Sequence, residues 1–279
     1  MKPVPFAYVA AGSLDEALTA LAEGGDDAKP LAGGQSLVPA LNMRLLRPSL
    51  LVDLNRAGLD AIEANGTVRV GAMTRQAALE RSPHAHPLVR EALPYVGHVV
   101  TRNRGTVGGS VAHADGSAEL PLCLAALGGT AVVRSLSGSR EIPAGELFVT
   151  HYLTTLEPGE LLVETVWPAP AEGESSAFEE VALRAGDYAL SMAAVVLVRD
   201  HDGTVTSARV AVGAVADHPL LFDDAAAMLV GTDGGGEVAR EVGAAVARTV
   251  EPPPSIHASA AYLKHVTGVI VERAIARAA

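Results

Sequence analysis

Two glycine pairs constrain this chain more than any other feature. Gly33-Gly34 lies in Ala32-Gly33-Gly34-Gln35-Ser36-Leu37, directly after a short extended run. Gly108-Gly109 lies in Thr106-Val107-Gly108-Gly109-Ser110, inside the dense stretch TRNRGTVGGSVAHADGSAELP at 101–121. Glycine reaches positive φ and lets the backbone approach a ligand with no Cβ between them. Successive N–H groups in such a turn form a concave nest for an anion. The hydroxyls of Ser36, Thr106 and Ser110 add further donors. Taken singly, each pair reads more readily as a plain turn, and Gly24-Gly25 and Gly128-Gly129 are read that way. The familiar nucleotide fingerprints are missing. No GxGxxG follows a strand and no GK[ST] occurs, which leaves a Rossmann site unsupported and excludes a P-loop.

The remaining bounds come from composition. The 279 residues give room for roughly two domains of about 150 residues. With 49% hydrophobic and 19% charged residues, the chain can bury a core and is not disordered. Its net charge of -11 repels phosphate backbones, so nucleic acid is not expected as a partner. An anionic ligand would have to be met locally, by backbone N–H groups. The one cysteine, Cys123, excludes an intrachain disulfide and an iron–sulfur cluster, and its apolar helix marks it as a core residue. No apolar run approaches the ~18 residues of a membrane span. Met1-Lys2-Pro3-Val4-Pro5 lacks the apolar run of a signal peptide, so a cytoplasmic location is expected.

Along the chain, Ser13-Leu14-Asp15-Glu16 reads as a capping box opening a helix. Leu14, Ala17, Leu18 and Leu21 form its apolar stripe, and Gly24-Gly25 ends it. An extended piece at 29–32 precedes the first glycine pair. A second helix or turn covers 37–46 and a buried strand covers 50–54. TVRVGA at 67–72 alternates as a strand, Thr74 is placed as the cap of a helix through Glu80, and another helix runs from Pro87 to Val96. An apolar helix at 120–127 and strands near 130–135 and 161–167 follow. The Pro-, Glu- and Ser-rich stretch PAPAEGESS at 168–176 marks a boundary. Beyond it, 192–199 and 204–215 read as a hairpin about Asp202-Gly203. Helices are expected at 223–231, 237–250 and 259–277, with Pro252-Pro253-Pro254 stopping the second. Strands and helices mix without βαβ regularity, which indicates an α+β fold.

Few side chains suggest chemistry. Asp115 and Glu119 are four apart and suit ligand hydroxyls. On spacing alone, the stronger reading is acidic charge at a helix start. His84-Ala85-His86 sits between Pro83 and Pro87 with no acidic or cysteine neighbour in sequence, so a metal is not expected. His113 reads as structural. No catalytic triad or carboxylate pair presents itself.

Together the two glycine segments, AGGQSLVP at 32–39 and the stretch at 101–121, closely resemble the two FAD-binding motifs of the medium subunit of molybdenum hydroxylases. That family includes carbon monoxide dehydrogenase and the flavin domain of xanthine dehydrogenase. VGAMTR at 70–75, GELLVETVWP at 159–168 and RAGDYALSMAAV at 184–195 resemble it in the same order, so the likeness spans nearly the whole chain. It implies a vanillyl-alcohol-oxidase-like (PCMH-type) FAD-binding domain at 1–172, with subdomains of about 1–56 and 57–172. A C-terminal α+β domain with a small antiparallel sheet follows at 173–279.

By the same resemblance, Gly33, Gly34, Gln35 and Ser36 sit on the pyrophosphate, with Ala32 and Leu37 flanking them. Thr106, Gly108, Gly109 and Ser110 form the second half of the cradle, continued by His113 and Ala114. Asp115 and Glu119 match positions reaching the ribityl or ribose hydroxyls, Leu162 a flavin contact, and Tyr188 an aromatic that screens the ring. The implied role is an FAD-dependent oxidoreductase subunit relaying electrons to an external acceptor. Its implied partners are a large molybdopterin-binding subunit and a small 2Fe-2S subunit, in a heterohexamer. A stand-alone flavin oxidoreductase is the alternative. One departure stands out: Phe178-Glu179-Glu180-Val181-Ala182-Leu183 carries acidic residues where the family usually has basic ones, Glu180 among them.

Overall fold

In the computed structural model, which describes residues 2–253 and 255–279, helices and sheets are mixed along the chain. The first sheet is parallel. It comprises β1 (Ala7–Ala10), β2 (Ala28–Leu31) and β3 (Leu50–Asp53), in the order β1-β3-β2. Helix α1 (Leu14–Gly24) joins β1 to β2, and α2 (Leu37–Asn42) joins β2 to β3. The Ser13 hydroxyl accepts the Glu16 N–H at 3.2 Å, as a capping box requires. The Glu16 carboxylate instead accepts from Gly12, at 2.7 Å, one residue before the cap. Ala17, Leu18 and Leu21 are buried, and Gly25 caps the C-terminus at φ +56°.

The second sheet is antiparallel, in the order β4-β5-β10-β6-β7. Its strands are β4 (Ile62–Asn65), β5 (Thr67–Gly71), β6 (Thr130–Ser135), β7 (Gly138–Pro143) and β10 (Leu161–Pro168). The two-stranded β8 (Phe148–Thr150) and β9 (Leu153–Thr154) follow α8 (Ala144–Leu147). Between β5 and β6 the chain makes five helices: α3 (Gln76–Arg81), α4 (Pro87–Ala92), α5 (Val99–Arg102), α6 (Val107–His113) and α7 (Glu119–Leu127). The dense glycine stretch holds the end of α5, all of α6 and the start of α7. Thr74 does not cap α3. Arg75 holds that position, and the buried Thr74 hydroxyl donates to the Ala61 carbonyl instead.

The third sheet is antiparallel, in the order β11-β12-β13-β14. It comprises β11 (Glu174–Ala182), β12 (Ala189–Arg199), β13 (Val205–Gly213) and β14 (Leu220–Leu221). The helix expected at 223–231 stops early as α9 (Asp223–Ala227). α10 (Gly236–Thr249) and α11 (Ala260–Ala278) pack against each other, and α11 also lies on β11 and β12. Pro252 and Pro253 follow α10, while Pro254 lies outside the described residues. At the α10–α11 crossing, a Cβ on Gly243 would overlap the Gly268 carbonyl oxygen, so the two backbones touch.

α7 explains how the second and third sheets meet. All nine of its residues are buried, and it packs against β10 on one side and β12 and β13 on the other. A helix apolar on every face belongs between layers, not on a surface. Its leucines join Trp167, Phe178 and Met192 in one continuous core.

Candidate functional site

A cleft of about 560 Å³ opens where the three sheets meet. The loop after β2 supplies Ala32, Gly33, Gly34, Gln35, Ser36 and Leu37 to its wall. The start of α6 supplies Thr106, Gly108, Gly109 and Ser110. His113, Asp115 and Glu119 follow, Leu162 comes from β10, and Tyr188 comes from the loop before β12. Fifteen of the sixteen positions expected from the sequence therefore share one cavity. Ala114 is the exception. It terminates α6 at φ +50° and is turned into the core, with its carbonyl accepting the Tyr152 N–H at 2.9 Å.

Of the four paired glycines, only Gly34 needs a left-handed backbone, at φ +74°. The others are required by close approach within the protein. A Cβ on Gly33 would overlap the Arg104 carbonyl and lie 2.8 Å from Gly105 Cα. The first glycine loop thus rests directly on the backbone leading into the second. A Cβ on Gly108 would overlap Ala72, whose carbonyl accepts the Gly108 N–H at 2.9 Å. A Cβ on Gly109 would lie 2.6 Å from the Thr106 hydroxyl, which caps α6 by accepting the Gly109 N–H at 3.1 Å.

Two residues that local pattern did not single out bind the loops together. Arg75 donates to the Arg104 carbonyl and to the Asn55 side chain. The Asn55 amide in turn donates to the Ala32 carbonyl at 3.4 Å. Arg75 ends the VGAMTR segment, but its partners come from distant parts of the chain. Gln76, buried in the cavity wall, was missed for the same reason, and its Oε1 has no partner among the described residues.

The site's donors suit an anionic dinucleotide. Among the described residues, no acceptor is paired with the backbone N–H groups of residues 33–37. All five residues line the cleft, so these amides are available to a ligand oxygen.

Electrostatics differ along the cleft. Asp115 Oδ1 accepts the Ser117 N–H at 2.9 Å, so this carboxylate orders the turn before α7. Glu119 is the first residue of α7 and only 7% exposed. Burial, with some help from Asp115, raises its carboxyl to about 7. Burial beside Glu119 raises Glu180 to about 8. His113 packs its ring 4.9 Å from Tyr152, and burial lowers its pKa. Tyr188 stands at the mouth, 73% exposed. His86 serves the fold and not the cleft. Its Nδ1 accepts the Leu88 N–H at 3.1 Å, and its Nε2 meets Glu174 at 2.8 Å, a carboxylate brought from a distant strand.

Comparison with known proteins agrees with this geometry. Residues 4–170 match the FAD binding domain in molybdopterin dehydrogenase, and residues 176–278 match the CO dehydrogenase flavoprotein C-terminal domain. The chain is 44% identical to the 6-hydroxypseudooxynicotine dehydrogenase complex subunit alpha of Paenarthrobacter nicotinovorans, covering 100% of this chain and 96% of that one. It is 36% identical to the carbon monoxide dehydrogenase medium chain of Afipia carboxidovorans, over 100% and 98% respectively. Among solved structures, quinoline 2-oxidoreductase from Pseudomonas putida 86 superposes with a TM-score of 0.95 at 39% identity, covering 100% of this chain and 98% of that chain. The chain therefore belongs to the FAD-binding flavoproteins of the molybdopterin dehydrogenase family, the oxidoreductase subunits that include the medium chains of carbon monoxide dehydrogenases.

Proposed function

We propose that this subunit relays electrons, taking them from iron–sulfur clusters of a partner chain and passing them through FAD to an external acceptor. The observation that carries the proposal is the single cleft uniting both glycine segments, with its row of free amides and an open mouth at Tyr188. In this reading the amides of residues 33–37 and the Ser110 hydroxyl hold the pyrophosphate. Gln76, Asp115 and Glu119 meet hydroxyl or ring polar groups, and Leu162 and Tyr188 bound the flavin. FAD, once bound, accepts electrons and hands them on, and the protein supplies its binding, orientation and electrostatic setting. Thr106, itself in the cleft wall, and Arg75 keep the cradle in shape. On the same reading, 1–172 has the two-subdomain, vanillyl-alcohol-oxidase-like arrangement, divided near 56, with FAD between the parallel and antiparallel sheets. Residues 173–279 then close the flavin end.

The chain's one cysteine, Cys123, is buried in α7, so the clusters belong to another polypeptide. A large molybdopterin-binding subunit and a small 2Fe-2S subunit fill these roles, in a cytoplasmic heterohexamer. Relatives named for nicotine 6-hydroxylation, caffeine dehydrogenation and carbon monoxide dehydrogenation are 36%, 35% and 36% identical to this chain. Such different substrates at equal similarity support substrate choice outside this subunit. Coexpression with the two other subunits should give a complex that reduces a dye with an aldehyde, a heterocycle or carbon monoxide. Turnover of an organic substrate by the isolated chain, at about 1 s⁻¹ or faster, would replace the relay by a stand-alone oxidoreductase.

A further inference from the structure

Asp53 is the last residue of β3, the central strand of the parallel sheet, with Ala10 and Leu31 beside it in register. Its backbone is fixed from both sides. Its carbonyl accepts the Ala11 N–H at 3.0 Å, and the next residue, Leu54, donates to the Leu31 carbonyl at 3.0 Å. Alternation along β1 puts Tyr8 on the same face as Ala10, the residue opposite Asp53. The Tyr8 hydroxyl donates to Asp53 Oδ2. The other oxygen, Oδ1, accepts twice from Asn55, from the backbone N–H at 2.8 Å and from the side-chain Nδ2. Burial works against ionisation, but the hydrogen bonds from Tyr8 and Asn55, with Arg56 nearby, hold this carboxyl below the usual carboxylate range. An ionised carboxylate only accepts.

Asn55 stands between that acceptor and a group that only donates. Its Oδ1 accepts from the Arg75 guanidinium, while its Nδ2 also donates to the Ala32 carbonyl at 3.4 Å. An amide has one accepting end and one donating end, so between a carboxylate and a guanidinium a single orientation satisfies both. The backbone around Arg75 is itself pinned to the second glycine segment. The Gln76 N–H donates to the Gly105 carbonyl and the Val107 N–H to the Thr74 carbonyl, each at 3.0 Å. The other terminal nitrogen of Arg75 donates to the Arg104 carbonyl, the oxygen that a Cβ on Gly33 would overlap. A continuous series of hydrogen bonds thus runs from Tyr8 through Asp53, Asn55 and Arg75 to the carbonyls of Ala32 and Arg104. None of these four side chains lines the cleft.

We propose that Asp53 is a positioning residue for the cofactor: held by Tyr8, it fixes the Asn55 amide so that Asn55 and Arg75 keep the loop after β2 in register with the segment entering α6. Asp53 stands outside the cleft wall and acts through Asn55. With the two segments held in register, the amides of residues 33–37 keep one arrangement in the FAD-free protein, and binding FAD need not order them. The inference rests on FAD binding in this cleft and not on the electron relay.

The test measures FAD dissociation constants by flavin fluorescence titration of the FAD-free full chain, with urea midpoints as a check on the fold. Asp53→Ala should bind FAD about tenfold more weakly, the worth of one net hydrogen bond. Asp53→Asn keeps an accepting oxygen toward Asn55 and should stay within about threefold of the native protein. Asn55→Ala should also lose about tenfold. Adding Asp53→Ala to it should lose no more, because the link is already cut. Native affinity in Asp53→Ala, or losses that multiply to about a hundredfold in the double variant, would overturn the proposal. A second pair of variants preserves side-chain shape. Asn55→Asp leaves Asp53 and the Ala32 carbonyl without their side-chain donor and should bind about tenfold more weakly. Adding Asp53→Asn supplies a donor to the new carboxylate and should recover part of that loss. No recovery, with the fold intact, would refute the role of Asp53. Failure of the native protein to bind FAD would instead remove the cofactor from the cleft, and this role with it.

Discussion

Replacing Gly33 by alanine tests whether the two glycine segments form one cradle. The backbone at Gly33 is not left-handed, so alanine suffers no conformational strain. The difficulty is spatial: the new methyl would overlap the Arg104 carbonyl and lie 2.8 Å from Gly105 Cα. Both are backbone atoms, so no side chain can swing away. The loops must separate by about 1 Å, and forcing an extra carbon into packed structure costs about 1–3 kcal/mol. Separation also moves the free amides of 33–37 away from the α6 side of the cleft. Loss of one charge-assisted hydrogen bond adds about 1.5–3 kcal/mol. If the ligand-bound state bears most of this, FAD affinity falls by about a hundredfold or more, since ~1.4 kcal/mol is tenfold. Flavin fluorescence titration of the FAD-free protein measures the dissociation constant, and circular dichroism confirms the fold. Gly25→Ala is the control, with positive φ but open space around it. A folded Gly33→Ala protein that binds FAD as tightly as the native one would refute the interlocked cradle.

Three further outcomes are expected. Tyr188→Ala should brighten the bound flavin if the phenol stacks on the ring, and unchanged fluorescence would place the aromatic elsewhere. Arg102→Met strands Glu80 and three backbone carbonyls; breaking a buried ion pair costs about 3–5 kcal/mol, which urea unfolding should show, and a cost under about 1 kcal/mol would mean the pair is solvent-screened. Glu119 gives a pH signature in the FAD-free protein. Its folded carboxyl is raised from 4.5 to about 7, so its stabilising contribution is fully present below the ordinary carboxylate range and is lost as pH rises through about 7. Glu119→Gln should therefore gain on the native protein by about 3 kcal/mol between pH 4 and pH 9; parallel urea midpoints across that range would contradict the burial of a charged Glu119.

How much of this was legible locally depends on the range of the forces involved. The Ser13 cap, the α1 stripe and the alternation of β5 are set by residues a few positions apart, and sequence shows them. β11 is hidden, because Glu174, Ser175, Ser176, Glu179 and Glu180 interrupt the apolar pattern of a strand. Its strand character comes from pairing with β12 over nine positions, a non-local cause. α7 reads as a helix, but nothing in its even apolarity says which two sheets enclose it. Arg75, Asn55 and Gln76 act across the chain, so no window of sequence contains their partners. Glu180 is visible in sequence only as an acid where a base was expected. The fold adds that its Oε2 is buried without a hydrogen-bond partner among the described residues.

The glycines show the same division in sharper form. Sequence reasoning assigns them to positive φ and to closeness with a ligand, and Gly34 fits the first of these. Gly33, Gly108 and Gly109 instead meet protein: the Arg104–Gly105 backbone, Ala72, and the Thr106 cap. Their missing Cβ atoms let three separate segments lie against one another, which forms the cleft before any ligand enters it. The amides of 33–37 stay unpaired because that packing leaves them no protein acceptor. Ligand affinity therefore depends on contacts the ligand never makes. Substitutions at Gly33, Gly108 and Ala72 should weaken FAD binding according to how far they part the segments, whatever the polarity of the new side chain.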